Sequence, residues 1–560
     1  MAPRFTSGKR RSKANLPRRL LHGIATLLLT ACTVILSLDA ARKVYSAEER
    51  SVPNIVLILA DDLGFSDLGC YGSEIPTPNL DKLANGGLRF TQFYNNGRCC
   101  PSRASLMTGL YPHQTGVGHM MTDFRKPGYK GNLAIESATL AELLRAAGYQ
   151  TYMAGKWHLT RHIAPEGPKF DWPQQRGFDR FYGTIDGAGS YFDPGTLTRD
   201  NQFLRESDRN YYYTDAISQR AAEYLEAASR VKKPFFLYVA YTAPHWPLHA
   251  PPESISRFRG RYAGGWDAIR KARYQKMLAL GIIKAEWPLT PRDERVRNWE
   301  QNSYKEWQQR RMEVYAAQVE QMDRGIGRIL DKIRQVGAER NTLVMFLSDN
   351  GGCAEEITPQ WTGSFLPAKT RDGRMVQVGN DPNIMPGPEI TYQSYGLAWA
   401  NVSNTPFRLY KHWVHEGGIA TPLIVYWPAA IKQGGTLVHG VGHVIDIVPT
   451  CLAAAKFAHP KQLGGYSLLR PEGESLLPVI QGGPASRRRA LCWEHEGNRA
   501  VRDGKWKLVA PYAGPWELYD MEADRTELKN LAAQFPVVVK EMSQTYDAWA
   551  KRCHVEPWRQ

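Results

Sequence analysis

The segment Cys99-Cys100-Pro101-Ser102-Arg103 places a thiol just before a proline, with an arginine one helical turn further on. Proline suits the first turn of a helix, where its missing N–H costs nothing. The Cys99 thiol would then stand at a helix N-terminus, where unpaired N–H groups stabilise charge on a nucleophile or a bound anion. Arg103 carries a planar fork that grips anionic oxygens. Two pairs of oxygen ligands lie far apart in the chain. Asp61-Asp62 ends the apolar run 54–60, and Asp349-Asn350 ends the run 342–347. Ligands of parallel α/β sheets bind beyond the carboxyl ends of strands. One such pair would be an ordinary turn. Two pairs at matching strand ends, all oxygen and no thiolate, point to a hard divalent cation, calcium or magnesium rather than zinc.

Cys99-x-Pro-Ser-Arg103, followed by Thr108-Gly109, resembles the signature of the formylglycine-dependent sulfatases, arylsulfatase type, of the alkaline phosphatase superfamily. Five further segments match that family in order: NIVLILADDLGFSD at 54–67, GKWH at 155–158, PHWP at 244–247, SDNGG at 348–352, and Lys411 five residues before Glu416-Gly417-Gly418. The resemblance runs from about Val52 to the C-terminus. It implies that a maturation enzyme oxidises Cys99, not Cys100, to formylglycine (3-oxoalanine). One hydroxyl of the hydrated aldehyde attacks sulfur, and the other lets the enzyme-sulfate break down. It further implies that Asp61, Asp62, Asp349, Asn350 and the modified Cys99 hold Ca2+, with Mg2+ as the substitute. Arg103, Lys156 and Lys411 then stabilise the sulfate oxygens, and His158 and His245 share the acid and base roles. On an extended segment Lys156 and His158 point to one side, as two groups meeting one sulfate require. Ser190 and His412 are candidate substrate-binding residues. The segments 493–496 and 516–520 resemble the family's C-terminal subdomain, where packing is the default role of the aromatics.

The implied function is hydrolysis of sulfate esters, on a small-molecule or carbohydrate substrate. A phosphonate monoester or phosphodiester hydrolase of the same superfamily is the enzymatic alternative. A non-catalytic sulfated-glycan binder is the other, and the intact set of chemical residues argues against it.

Elements that could position these residues are legible. The β-branched run Asn54–Ala60 reads as a buried parallel strand. Runs at 149–154, Phe235–Ala240, 342–347 and 422–426 read as further strands. Residues 139–147 read as a helix with Gly148 as its cap. Met312, Tyr315, Val319, Met322, Ile326 and Leu330 recur at helical spacing and read as core packing. Residues 353–408 read as one long functional loop. Strands near 506–509 and 516–519 and a terminal helix over 536–552 suggest a small α+β subdomain. The expected fold is α/β, a large mostly parallel sheet flanked by helices. The expected division is a leader at 1–47, a catalytic domain at 48–435 and the subdomain at 436–560.

Of the formal charge of +16, half sits in residues 1–47, which hold nine Lys/Arg and the single acid Asp39. After residue 50 no dense basic run is interleaved with aromatics, so nucleic acid is not an expected partner. The basic start, the apolar run 20–38 and the small residues near Ala40 and Ala47 read as an export signal. A retained membrane anchor and a lipoprotein site at Cys32 are the other readings of this run. The expected location is periplasmic or extracellular. Eight cysteines in 560 residues do not make a disulfide scaffold.

Overall fold

The run NIVLILA becomes strand β1 (Asn54–Ala60), apolar at every position after the first and buried on both faces, as a central parallel strand must be. The computed structural model describes residues 52–363 and 366–558, with isolated positions 1, 4 and 8. The expected leader run lies outside the described residues. Pro53–Gln560 form one unit. Among the described residues no helix is long and apolar enough to cross a membrane.

Nine more strands join β1: β2 (Leu88–Tyr94), β3 (Gln150–Gly155), β4 (Arg180–Thr184), β5 (Leu197–Arg199), β6 (Gln202–Phe203), β7 (Phe235–Ala240), β8 (Thr342–Ser348), β9 (Ala420–Tyr426) and β10 (Thr436–His443). They run in the order β10-β2-β9-β8-β1-β7-β3-β4-β5-β6. The centre, β8-β1-β7-β3-β4, is all parallel. Strand β9 enters antiparallel between β8 and β2. In the β1–β8 register Ala60 pairs with Ser348, so Asp61-Asp62 and Asp349-Asn350 leave the same edge side by side.

Four helices matter here: α1 (Cys99–Thr108), α2 (Tyr213–Ser229), α3 (Lys305–Gln335) and α4 (Pro536–Cys553). Every residue of α1 is buried. The expected stripe from Met312 to Leu330 is buried along α3, which packs on α2 and the sheet. Gly148 adopts a left-handed φ of 90° and its N–H caps Arg145.

A second, antiparallel sheet holds β11 (Leu491–His495), β12 (Asn498–Asp503), β13 (Trp506–Ala510) and β14 (Glu517–Asp520), with α4 against it. Strand β10 begins at the expected boundary but adds to the large sheet beside β2, so the small sheet starts only at Leu491. The region read as one long loop carries a helix at Gly396–Ser403 and two two-residue strands.

A buried charge network fastens the two sheets. Glu416, just before β9, accepts from Lys507 Nζ and Arg525 Nε, both at 2.9 Å, and from the Tyr94 hydroxyl at 3.0 Å. Glu527 meets Lys507 at 2.7 Å and takes the Glu416 N–H at 2.9 Å. Burial opposes ionisation of Glu416, but Lys507 and Arg525 outweigh it and hold its carboxyl at about 2. Removing one partner of a buried network leaves uncompensated charge, a loss of about 3–5 kcal/mol. Glu416→Gln should therefore lower the unfolding free energy by that order in urea. A depressed folded pKa means the Glu416 contribution is fully present above about pH 4.3 and lost as pH falls toward about 2. The gap between wild type and variant should close over that window; a gap independent of pH would contradict the assignment.

Candidate active site

The ends of β1, β8, β3 and β7 and the start of α1 converge on one floor. From β1 come Asp61 and Asp62, and from β8 come Asp349 and Asn350. All four are buried. The Asn350 amide donates to Asp62 Oδ1 at 2.6 Å, and the Asp62 N–H to Asp349 Oδ1 at 3.3 Å. Three cations from three other elements answer the carboxylates. Arg103, one turn into α1, forks onto Asp349 Oδ2 through Nε at 2.9 Å and Nη2 at 2.8 Å, and lies 3.3 Å from Asp61. Lys156, after β3, meets Asp61 at 2.5 Å. Lys411 meets Asp62 at 3.0 Å.

Local backbone explains this convergence. Gly155 ends β3 with a φ of 118°, and a Cβ there would lie 1.9 Å from the Ala240 carbonyl oxygen. The close approach lets Lys156 turn under the sheet edge and donate its N–H to that carbonyl. Trp157 points the other way and is wholly buried, donating its indole N–H to the Asp171 carbonyl. Asp62 and His158 both hold left-handed φ, 62° and 55°. Such strain in a non-glycine residue persists only where surrounding contacts over-determine it.

Two floor oxygens, Asp61 Oδ1 and Asn350 Oδ1, are buried without a hydrogen-bond partner among the described residues. Burial first, and the Asp61 charge second, push the Asp349 carboxyl well above its usual range. Clustered acids with bare inward oxygens want another positive charge. The oxygen-only set fits a hard divalent cation at Asp61, Asp62, Asp349 and Asn350.

Above the floor opens a cavity of about 610 Å³. Cys99, His158, His245 and Lys411 line it. The Cys100 thiol hydrogen bond, then Lys156 and His158, draw the Cys99 thiol well below its usual value against burial. Burial first, and Lys156 second, keep His158 neutral. His245 bonds the Trp246 carbonyl through Nδ1 at 2.6 Å, so that nitrogen carries the proton. Its Nε2 faces Lys411 Nζ at 3.3 Å and Asp62 Oδ2 at 3.4 Å. Lys411 stays charged because Asp62 and its other anionic neighbours outweigh burial.

Arg103 and Lys156 face the carboxylates and do not line the cavity. Ser190 is buried and its hydroxyl caps the turn at Phe192 and Asp193. His412 pairs with Glu496 at 2.8 Å. Neither lines the cavity. Trp493 is core, bonded to the Asn95 carbonyl.

Sequence reasoning missed the rim. Glu355 accepts from Arg98 at 2.7 Å and from the Trp246 indole at 2.9 Å, and lies 3.9 Å from Lys411. Trp361 stacks on Tyr392 at 5.4 Å and meets Trp246 edge-on at 5.2 Å. The one available signal was Glu355-Glu356 a few residues after Asp349-Asn350.

A parallel sheet that gathers acids, cations and an activated thiol at its strand ends defines a hydrolase of anionic esters. Comparison with known proteins narrows the class. The sulfatase family model matches residues 53–457, and the model for the N-sulphoglucosamine sulphohydrolase C-terminal region matches 407–551. The chain is 36% identical to an uncharacterised sulfatase of Schizosaccharomyces pombe, over 88% of this chain and 92% of that one. It is 34% identical to an arylsulfatase of Klebsiella aerogenes, over 80% of this chain and 96% of that one. The crystal structure of Ps i-CgsB superposes with a TM-score of 0.66 at 25% identity, covering 91% of this chain and 95% of that one. The chain belongs to the sulfatase family and is an enzyme that hydrolyses sulfate esters.

Glu355 cancels the Arg98 charge at the rim. Burial opposes its ionisation, but Lys411 and Arg98 keep it charged at any working pH. Glu355→Gln should free Arg98 and lower KM about threefold to tenfold for substrates with a second anionic group, the effect of about 1 kcal/mol between nearby solvated charges. Steady-state kinetics on mono- and disulfated substrates checks this; an equal change for both would reject the charge argument.

Proposed function

We propose that the enzyme cleaves sulfate esters of carbohydrates by arylsulfatase-type chemistry, with residue 99 as nucleophile after its conversion to formylglycine. The observation that carries this reading is the cavity floor: Cys99, His158, His245 and Lys411 face one space directly above a buried acid cluster with unpartnered oxygens. The aromatic rim of Trp246 and Trp361 and the size of the cavity favour a sugar as the organic part. Ps i-CgsB, which resembles this chain in fold, has been crystallised with k-i-k-neocarrahexaose.

Asp61, Asp62, Asp349, Asn350 and the modified residue 99 would hold a divalent cation, calcium by its oxygen ligands. When bound, the cation supplies polarisation of a sulfate oxygen. The aldehyde hydrate supplies a hydroxyl for attack on sulfur and a second one for release. The chain's own side chains do the rest. Residue 99 opens helix α1, whose free N–H groups favour developing negative charge. Lys411 contributes its charge at the wall of the cavity. Lys411 Nζ lies 3.3 Å from His245 Nε2, and His245, when protonated at Nε2, can give that proton to the leaving oxygen. Neutral His158, beside residue 99, can accept a proton from the group there. Lys156 and Arg103 keep Asp61 ionised against burial and hold the acid cluster in place.

Mass spectrometry of the peptide containing residue 99 should show a loss of about 18 Da, thiol to aldehyde, in a preparation that releases sulfate. Full activity with an unmodified thiol, or an aldehyde with phosphoester but no sulfate ester hydrolysis, would overturn the proposal. His245→Gln should lower kcat on a sugar sulfate by about 10²–10⁴, and by less on an aryl sulfate whose leaving group needs no proton. An equal loss on both would remove His245 from the acid role.

Chelation should end sulfate release and lower the melting temperature. Calcium at about 100 times its Kd should restore about 2.7 kcal/mol to the unfolding free energy. Asp349→Asn should abolish that gain; a variant stabilised as much as wild type would exclude Asp349 as a ligand.

A further inference from the structure

Beside the cavity, and outside the acid cluster, three segments bring imidazoles onto one carboxylate. His119 follows a short 3-10 helix at Pro112–Thr115, His412 follows Lys411, and His495 ends β11 just before Glu496 in the turn to β12. Glu496 takes His119 Nε2 on Oε1 at 2.7 Å and His412 Nδ1 on Oε2 at 2.8 Å. His495 is wholly buried, and neither of its ring nitrogens has a hydrogen-bond partner among the described residues. Its Nε2 lies 3.7 Å from Glu496 Oε1. Its ring stacks on His119 with centroids 5.5 Å apart.

A bare, fully buried imidazole aimed at a carboxylate is costly unless something else satisfies it. We propose that His119, His495 and Glu496 form a second metal site, taking a zinc-class divalent ion and distinct from the oxygen-ligand site on the catalytic floor. Their ligand atoms lie within 4.8 Å of one another. Zinc with nitrogen and oxygen ligands at about 2.1 Å sets tetrahedral ligand atoms roughly 3.4 Å apart. Closing the gap needs side-chain shifts of about an ångström, at positions 14% and 25% exposed in His119 and Glu496. Two imidazoles and a carboxylate are the donor set of zinc, not of calcium. They leave a fourth position for water or substrate.

The surroundings already orient these ligands. Asn498 donates to His412 Nε2 at 3.2 Å, so His412 Nδ1 carries the proton and fixes Glu496 through Oε2. Oε1 is thereby left toward His119 and His495, the arrangement in which a hydrogen-bonded carboxylate ligates. Burial keeps His495 neutral, with a lone pair to give. Glu496 and His412 both hold left-handed φ, 49° and 89°, so both turns are strained toward this geometry. Met120 and Lys411, the chain neighbours of His119 and His412, line the catalytic cavity. A metal here would staple the turn of the small sheet to the cavity rim.

The test uses the full chain loaded with calcium and titrated with Co2+. The expected result is one equivalent of cobalt with visible d–d bands of a tetrahedral nitrogen and oxygen site. No near-ultraviolet thiolate band should appear, which separates this site from Cys99, Cys100 and His158. His495→Gln and His119→Gln, each shown folded by an unchanged near-ultraviolet spectrum, should weaken binding at least about tenfold, and Zn2+ should displace the cobalt in wild type. Equal cobalt spectra and affinities in wild type and both variants would overturn the site, as would a spectrum dominated by thiolate charge transfer. Since the readout is metal binding, its failure leaves sulfate ester hydrolysis untouched, and loss of turnover alone does not bear on it.

Discussion

Three carboxylates that cannot tolerate one another stand at the centre of this molecule. Asp61, Asp62 and Asp349 are taken out of water within a few ångströms of each other. At such separations each like-charge pair costs about 4 kcal/mol at an effective dielectric of 20. The fold answers with one cation from each of three other elements: Arg103 from a buried helix, Lys156 from the end of β3, Lys411 from the loop before β9. Each must arrive at a fixed place, so the acid cluster sets where those elements go. The cost of gathering the acids is what makes the floor a cation site.

The parallel sheet makes this arrangement achievable. Adjacent parallel strands end on the same edge, and the register of β1 with β8 delivers two ligand pairs side by side. What remains is turning the chain sharply after each strand. Gly155 does so by having no side chain against the Ala240 carbonyl. Asp62 and His158 do so by accepting left-handed backbone that their contacts enforce. Two of the residues that carry the chemistry thus hold strained backbone.

The floor was legible in the sequence because its parts are local and stereotyped. Apolar β-branched runs announce buried strands, and acids that end such runs announce strand-end ligands. The roles of Arg103 and Lys156 were less legible. Both were read as facing a sulfate, and both face carboxylates, because sequence shows a charge without showing which of several anions lies nearer. Strands β2 and β10 went unseen: Arg89, Thr91 and Gln92 interrupt the first, and His439, Gly440 and Gly442 the second. Their pairing is decided by neighbours hundreds of residues away. The rim stayed hidden for the same reason. Glu355 acquires its meaning only where Arg98, Trp246 and Lys411 meet it, and Glu496 only where two loops and a hairpin turn converge.

Floor and rim also differ in electrostatic design. On the floor three cations face three carboxyl groups, of which Asp349 is pushed toward its neutral form, so a bound divalent cation leaves an excess of positive charge, complementary to a sulfate whatever it is attached to. The rim holds opposite charges in pairs, Arg98 with Glu355 and Arg161 with Asp123, set beside Trp246 and Trp361. Paired charges give little net attraction but fixed hydrogen-bonding directions, and aromatic faces give area. Such a rim selects by shape and polarity and leaves the anion to the floor. Recognition of the ester and recognition of its organic part are therefore built from separate elements. Substitutions in the rim loops can change which sulfate ester is cleaved while the acid cluster, and the chemistry it supports, stays as it is.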